Sequence, residues 1–259
     1  CGLGVAGVAI ASAASQCICA VLIIVSLLRS KENIALRPHA LKVSPDKACF
    51  VLRLGIPAGF QNAIFAIANL FIQSGVNSFD AVTVEGNSAA ANSDALVYDV
   101  MNAFYMACSS FISQNMGAKK KKRMLQSYFI SLAYSFGAGA VLGLSLVVFG
   151  RQFLSLFTKD AAVMEAGMAR LRVMGFSYMV SAFMDNTIAA SRGLGKALVP
   201  TVIVILGSCV FRVIWVYTIF AYFHTIDSLY LLYVFSWTIT AVAEILYFAK
   251  SYRKLAATL

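Results

Sequence analysis

Charged side chains are scarce in this sequence. They make up 12% of its 259 residues, whereas an ordinary soluble domain contains about 25%. Hydrophobic residues reach 60%, and they form long runs that lack the alternation of a membrane β-barrel. The scarcity of charge therefore excludes an ordinary soluble domain, and the long runs favour a chain whose solvent is lipid.

Residues and motifs that typically perform catalysis or bind metals and phosphates in soluble proteins are also few. The two histidines, His39 and His224, lie in predicted links. The six cysteines form neither a CxxC pair nor a Cys–His cluster at metal-binding spacing. The glycine-rich residues 192–196 lack the Gly-Lys-Ser/Thr ending of a phosphate-binding loop. We therefore expect no enzyme activity, no disulfide, no metal centre and no cofactor.

The apolar residues form about seven segments, each long enough to cross a hydrocarbon core of about 30 Å. Lipid cannot satisfy backbone N–H and C=O groups, so each segment is predicted to be a helix. The segments are residues 2–28, 54–76, 89–113, 125–149, 163–191, 198–221 and 229–249. The predicted fold is an all-α polytopic membrane protein with about seven transmembrane helices.

The net charge of +10 follows this predicted topology. Most lysines and arginines lie in alternate links, a pattern that marks the cytoplasmic side, and we expect no nucleic-acid partner. The basic links are residues 29–53, 114–124 and 192–197, together with a tail at 251–259. We expect a multi-pass protein of the plasma membrane, embedded in the lipid bilayer, with a cytoplasmic C-terminus.

The link at residues 29–53 is the longest and contains Pro38 and Pro45. We interpret it as a cytoplasmic linker between two helix bundles. Residues 1–28 would then be the last transmembrane helix of an N-terminal lobe, residues 54–250 a six-helix C-terminal lobe, and residues 251–259 a cytoplasmic tail. Because the sequence starts at Cys1 inside an apolar run, we expect most of the N-terminal lobe to be missing from it.

Segment 89–113 carries a polar stripe. At 100° of rotation per residue, four of its polar side chains fall within an arc of about 80°: Asp94, Tyr98, Asn102 and Tyr105. Asp99 lies further round the helix, and apolar residues that include Val97 cover the opposite arc. We expect the stripe to face the bundle interior or an aqueous cavity.

Segment 54–76 carries a second stripe, which is made of amides. Asn62, Asn69 and Gln73 recur at intervals of seven and four residues, and Gln61 borders the same face. Two interpretations are open: hydrogen bonds between helices, worth about 0.6 kcal/mol each, or a solvated wall that faces a substrate.

Acidic residues inside the spans are the strongest functional candidates. An unpaired carboxylate there costs about 2.5–3.5 kcal/mol or more, which makes Asp94 and Asp99 the sharpest features of the sequence. Either can exchange a proton or, with amide neighbours, hold Na⁺; the alternative is a structural ion pair with Arg212, the mid-span basic residue. Asp185 lies about 10 Å from a cytoplasmic helix end. Glu244 is close to the basic tail, and we expect it to reach the interface.

Four motifs in order resemble the multidrug and toxic compound extrusion (MATE) transporters. GIPAGFQN at residues 55–62 and IQSGVN at 72–77 are similar to their seventh helix, and MNAFY at 101–105 with SQNMGA at 113–118 is similar to the eighth. Asp185 with RGLG at 192–195 resembles the tenth helix, and FRVIW at 211–215 the eleventh. The resemblance implies twelve helices in two six-helix lobes, of which this chain would supply one.

The resemblance also implies a function. It predicts a secondary antiporter that exports amphipathic or cationic compounds against H⁺ or Na⁺ by alternating access. Asp94 and Asp185 match acidic positions of the eighth and tenth helices, with Na⁺ possible at Asp94. Tyr98, Asn102 and Tyr105 would line the path, and Asp99 would add negative charge. The seventh helix departs from some relatives because it offers amides in place of a Glu.

Two other functions are weighed against the antiporter. A lipid-linked oligosaccharide flippase of the same wider fold would line its cavity with Arg and Lys to hold a pyrophosphate, and we count one mid-span basic residue, Arg212. A membrane scaffold or sensor would not need polar stripes along several helices. The antiporter is therefore the preferred hypothesis.

Overall fold

A computed structural model describes residues 4–30, 36–37, 42 and 44–258. The expectations for Cys1, Pro38 and His39 lie outside this part of the chain. Within it, seven long helices follow one another: α1 Gly4–Arg29, α2 Pro45–Val76, α3 Ala81–Gly117, α4 Lys121–Leu154, α5 Ala161–Gly193, α6 Leu198–Phe223 and α7 Ile226–Thr258. All except α5 are long and apolar enough to cross a membrane. The prediction of an all-α polytopic membrane protein is confirmed.

Helix α5 is the exception because of its charges. It has 33 residues, about 50 Å at 1.5 Å per residue, which exceeds the bilayer core. It also carries charged residues along its length, among them Arg170 and Asp185. Most of its length is buried by the helices around it, so few of its polar groups meet lipid.

The helices extend beyond the predicted apolar segments. Helix α2 begins at Pro45, so residues 45–53 of the predicted linker are helical, and α7 continues to Thr258 through most of the predicted tail. Proline suits the first helical position because no helical hydrogen bond needs its missing N–H. Hydropathy marks only the apolar part of a helix, whereas its polar ends project past the hydrocarbon.

The chain divides into two compact units, Cys1–Phe50 and Val51–Leu259. The first unit contains α1, whose apolar side chains such as Ile18 and Leu22 are exposed. The second unit contains the six remaining helices, apart from the first turns of α2. Its outer surface carries large exposed apolar side chains, such as Leu70 and Val148, as expected for a lipid-facing surface.

Helix α5 is the centre of the second unit. Helices α3, α4 and α7 pack closely against it, whereas α2 approaches the other helices at fewer points. The capping of α3 and α5 is similar: Asp80 accepts a hydrogen bond from the Thr83 amide at 3.0 Å, and Asp160 from the Ala162 amide at 2.8 Å. Hydrogen bonding by Thr83 also lowers the pKa of the Asp80 carboxyl.

Glycines allow the close approach of α4 to α5. A Cβ atom on Gly143 would lie 2.1 Å from the carbonyl oxygen of Gly175, and one on Gly175 would lie 2.7 Å from the oxygen of Gly143. Small residues at helix contacts are a common device in membranes, where close packing replaces the hydrophobic driving force. This contact holds α5 in the position from which it presents its polar side chains.

Helix α6 is irregular at two places. Residues Ile205–Val210 and Val216–Phe220 form π-helical turns, a rare feature that often occurs at functional sites. Arg212 lies between them. The irregular turns therefore surround the one basic residue of this helix.

We predict that Gly143→Ala destabilises the second unit. The new methyl group collides with backbone of α5, which cannot rotate away, so the expected cost is about 1–3 kcal/mol. Gly137→Ala on the same helix is the matched control, because nothing lies within 4 Å of its Cβ position. Thermal unfolding in detergent should show a lower Tm for the first variant only. Equal Tm values would contradict the Gly143–Gly175 contact.

Candidate functional site

A cavity of about 630 Å³ lies within the second unit, between α2, α3, α5, α6 and α7. Most of the residues proposed from the sequence line it: Gln61, Asn62, Asn69, Gln73, Asp94, Tyr98 and Asp185. The amides of α2 form one wall, and the acidic residues of α3 and α5 lie opposite. The amide stripe of α2 and the part of the α3 stripe that carries Asp94 and Tyr98 therefore face one space.

Asp94 is held by two partners from α5. One carboxylate oxygen accepts a hydrogen bond from the Arg170 guanidinium, and the other accepts from the Tyr178 hydroxyl. The Asp94 side chain is 26% exposed, whereas that of Arg170 is 6% exposed. The ion pair is thus anchored on the buried side and open to the cavity on the Asp94 side.

Arg170 lies in a polar and aromatic pocket. Its guanidinium donates to Asn87 Oδ1 at 2.8 Å, and the same oxygen accepts from the Tyr230 hydroxyl at 3.2 Å. The rings of Tyr230 and Tyr233 lie 5.6 and 5.5 Å from the guanidinium carbon, within the range of cation–π attraction. These contacts compensate a charge that would otherwise be expensive to bury.

The ion pair with Arg212, which was the alternative interpretation of Asp94, does not form in the structure. Arg212 donates instead to Asn69 Oδ1 at 3.1 Å and to Ser236 Oγ at 3.3 Å. Its guanidinium carbon also lies 4.8 Å from the Tyr233 ring centre. Within the described ranges, no carboxylate forms an ion pair with Arg212. Its charge is therefore left facing the cavity that it lines.

Arg170 was missed in the sequence, where Arg212 was counted as the mid-span basic residue. The signal was present: at 100° per residue, Arg170, Tyr178, Ser181 and Asp185 fall within an arc of about 80°. All four line the cavity. The position of Arg170 near a charged link concealed this polar face of α5.

Gln61 connects α2 to α5 and α6. Its side-chain oxygen accepts from Arg192 at 2.9 Å and from the Thr201 hydroxyl at 3.3 Å. Asp185 lines the same cavity and interacts electrostatically with Arg192 and Arg212. The cavity therefore has a second charged region, apart from the Asp94 pair.

Three predicted site residues do not line the cavity. Asp99 is exposed, Asn102 is half-buried, and Tyr105 is buried with a hydroxyl that has no hydrogen-bond partner in the described structure. Val97, which we expected on the arc opposite the stripe, is buried. A helical projection gives the direction of a side chain, but it does not show how far along the helix a cavity extends.

Glu244 also differs from its expected position. It has no exposed surface, although the sequence suggested that it reaches the membrane interface. Helix α7 continues to Thr258, which places Glu244 about 20 Å before the end of the helix. The carboxyl group is therefore deep inside the second unit.

The cavity is equipped for binding. Carboxylates, guanidiniums, amides and aromatic rings can each contact an amphipathic organic ion, and an aromatic face attracts organic cations. Among residues 4–30, 36–37, 42 and 44–258, no cluster of three His, Cys, Asp or Glu side chains has the geometry to hold a metal ion. Asp94 and Asp185 supply carboxylate oxygens to the cavity wall, and such oxygens can contact a monovalent cation.

Known proteins match this chain over most of its length. The sequence model of the MatE family matches residues 57–218. A probable multidrug resistance protein NorM from Bacillus anthracis is 29% identical over 170 residues, and a probable multidrug resistance protein YoeA from Bacillus subtilis is 25% identical over 163 residues. These matches cover 62–63% of this chain but only 35–36% of the relatives. The chain thus matches about a third of their length.

Solved structures show the same fold. An outward-facing multidrug resistance MATE transporter of the MOP superfamily matches with a TM-score of 0.86 at 19% identity, over 98% of this chain and 57% of that one. A MOP superfamily transporter from Pyrococcus furiosus, described as having a binding pocket of reversed polarity, matches with a TM-score of 0.85 at 19% identity and the same coverage. At this identity the likeness establishes the fold.

We predict that Arg170→Met destabilises the second unit by about 3 kcal/mol, because it leaves Asp94 without its counter-charge. Adding Asp94→Asn should recover part of this loss, since an amide needs no counter-charge. Arg151→Met is the control: Arg151 pairs with Glu165 at the surface, with side chains 70% and 49% exposed, and should cost at most about 1 kcal/mol. Chemical denaturation in detergent measures all three. Equal losses for Arg170→Met and Arg151→Met would contradict a buried pair.

Proposed function

Because this chain belongs to the MatE family of membrane transporters, we propose that it forms one lobe of a secondary active multidrug efflux protein. The protein exchanges amphipathic or cationic compounds for H⁺ or Na⁺ by alternating access. The rest of the transporter supplies the other lobe and the second wall of the substrate cleft. The basic links lie on the cytoplasmic side of the plasma membrane, as does the C-terminus.

One observation supports this proposal above the others. An acidic side chain lies at the edge of a large cavity, and the hydrogen bonds that hold it can be exchanged for contacts with a ligand. Asp94 is bound by Arg170 and Tyr178 but keeps part of its surface open to the cavity. A cationic compound that enters can take over the exposed side of the carboxylate. Tyr98, which is half exposed at the cavity wall, adds an aromatic face for the same cation.

Competition for the carboxylates couples the two fluxes. A proton or Na⁺ on Asp94 or Asp185 removes the negative charge that attracts a cationic substrate, so the ion and the compound bind at one another's expense. Each ligand then shifts the protein toward the conformation that binds it better. An inward ion gradient thereby drives the compound outward.

The amides of α2 give breadth of specificity. Asn62, Asn69 and Gln73 can each donate or accept hydrogen bonds, and Gln73 bonds to Asn77 rather than to another helix. Asn69 is held by Arg212, but Asn62 and Gln73, on a helix with few close neighbours, can adjust to compounds of different shape. A wall of this kind suits a transporter of many substrates.

A second candidate function follows from the two arginines in the cavity. Arg170 and Arg212 both line it, and the guanidinium of Arg212 lacks a carboxylate partner in the described part of the chain. An anionic substrate, including the pyrophosphate of a lipid-linked oligosaccharide, would find bidentate donors there. A binding pocket of reversed polarity is described for the structurally similar transporter from Pyrococcus furiosus, so the charge of the substrate is the property to test.

We predict that Asp94→Asn abolishes gradient-driven efflux of a cationic dye by the full-length protein in proteoliposomes. The amide keeps the shape of the carboxylate but cannot bind a proton or attract a cation. Asp99→Asn is the matched control, since Asp99 is on the same helix but is exposed and does not line the cavity. Imposing an H⁺ or a Na⁺ gradient separately identifies the coupling ion.

The same assay separates the alternatives. Efflux that survives in Asp94→Asn would contradict the role of this carboxylate. If the wild-type protein moves an anionic dye and not a cationic one, the second candidate replaces the first. If Asp99→Asn is as defective as Asp94→Asn, the cavity does not define the substrate path.

We also predict the orientation of the chain. A green fluorescent protein fused after α7 should fluoresce and an alkaline phosphatase at the same place should be inactive, because the basic residues near Lys254 hold that end in the cytoplasm. Fusions at Asp80, in a link without Lys or Arg, should behave in the opposite way. An active phosphatase after α7 would reverse the proposed topology.

A further inference from the structure

Glu244 is a buried carboxyl group that the proposed mechanism does not use. It has no exposed surface, and neither of its carboxylate oxygens has a hydrogen-bond partner in the described structure. The hydroxyl one turn away is engaged elsewhere: Thr240 Oγ1 donates to the Ser236 carbonyl at 2.7 Å and lies 2.8 Å from Ser208 Oγ. Neighbouring residues of α7 therefore do not compensate a charge on Glu244.

The charged groups that face Glu244 lie on α5. Arg192 and Asp185 interact with it electrostatically, the first by attraction and the second by repulsion. From α6, Arg212 interacts electrostatically with Asp185, and Thr201 is bonded to Gln61. Helix α2 contributes the neutral Gln61, which is bonded to Arg192. Arg192 is thus the cation available to Glu244.

Arg192 itself is only partly satisfied. One guanidinium nitrogen donates to Gln61 Oε1 at 2.9 Å, while its buried Nε has no partner within the described residues. Arg192 and Glu244 do not form an ion pair in this conformation. A buried carboxyl group without donors therefore lies near a partly buried cation that has a spare donor, and the two are not joined.

Burial decides the charge state of Glu244 in this conformation. An ionised carboxylate that has lost water and gained no hydrogen bond is far less stable than the neutral acid. We infer that Glu244 is a proton-binding site of the transporter, and that Arg192 becomes its partner when the proton leaves. This inference rests on the proposed function, because it assigns H⁺ as a coupling ion.

The step is a simple proton release. The O–H bond of the Glu244 acid breaks, the proton passes to water, and the electron pair stays on the carboxylate. Arg192 remains positively charged and turns from the neutral Gln61 oxygen to the new anion, which binds a guanidinium about twice as strongly as a neutral acceptor does. Uptake of a proton reverses the exchange.

The exchange reaches the substrate cavity through α2. The Arg192–Gln61 bond joins α2 to α5, and α2 approaches the other helices at few other points. Releasing Gln61, which lines the cavity, allows this wall to change position. Binding of a proton at Glu244 is in this way coupled, through Arg192 and Gln61, to the shape of the cavity.

Infrared difference spectroscopy of the full-length protein tests proton binding without requiring transport. A pH titration should show carbonyl bands of protonated carboxylic acids, and Glu244→Gln should lose one of them. Glu165→Gln is the matched control, because Glu165 is exposed and bound by Arg151 and Arg172. Spectra that are identical for the wild type and Glu244→Gln would overturn the inference. If Glu244→Gln does not fold, Glu244→Asp should keep the band at a shifted frequency, and an unshifted band would overturn it.

Transport then tests the coupling. In proteoliposomes, Glu244→Gln should reduce efflux driven by an H⁺ gradient at least about tenfold, while exchange of dye without a gradient is retained and Glu165→Gln behaves as wild type. Wild-type rates of H⁺-driven efflux in Glu244→Gln would overturn the coupling role. If wild-type protein moves no dye at all, the proposed function fails, and the infrared titration still decides whether Glu244 binds a proton.

Discussion

The ion pair between Asp94 on α3 and Arg170 on α5 is the interaction on which the cavity depends. A helix bundle solvated by lipid cannot leave a charge unpaired without a large cost, so the two charges fix which faces of α3 and α5 turn inward. Tyr178 and Asn87 add hydrogen bonds to the pair, and Tyr230 donates to the same Asn87 oxygen. Once these faces are fixed, the amide stripe of α2 lies across the cavity from the polar residues of α3 and α5.

Helix α5 forms the polar axis of the unit. It supplies Arg170 and Tyr178 to one charged region and Asp185 and Arg192 to the other, while α3, α4 and α7 shield it from lipid. Close backbone contacts, such as Gly143 against Gly175, hold it rigidly on that side. On the cavity side, α2 is joined mainly by side chains, so one wall can respond to a ligand without repacking of the core.

The fold was predictable from sequence because lipid leaves so few alternatives: each apolar segment had to be a helix. The cavity was predictable in part, since the stripes of α2 and α3 place Asn69 and Asp94 on inward faces. The pairing was not, because helical periodicity gives the face of Asp94 but not the neighbour that reaches it. Glu244 was placed at the interface for a different reason: hydropathy shows where the apolar run ends, but it does not show where the helix ends.

The central claim is that cationic amphiphiles bind in the cavity between α2, α3 and α5. The most direct measurement is photo-crosslinking of the full-length protein in liposomes with a cationic, light-activated amphiphile, followed by mass spectrometry of the labelled peptides. The account predicts label on the cavity walls around Asn69 and Tyr98, and its loss when unlabelled compound competes. Label confined to lipid-facing side chains such as Leu246, unchanged by competitor, would contradict the account.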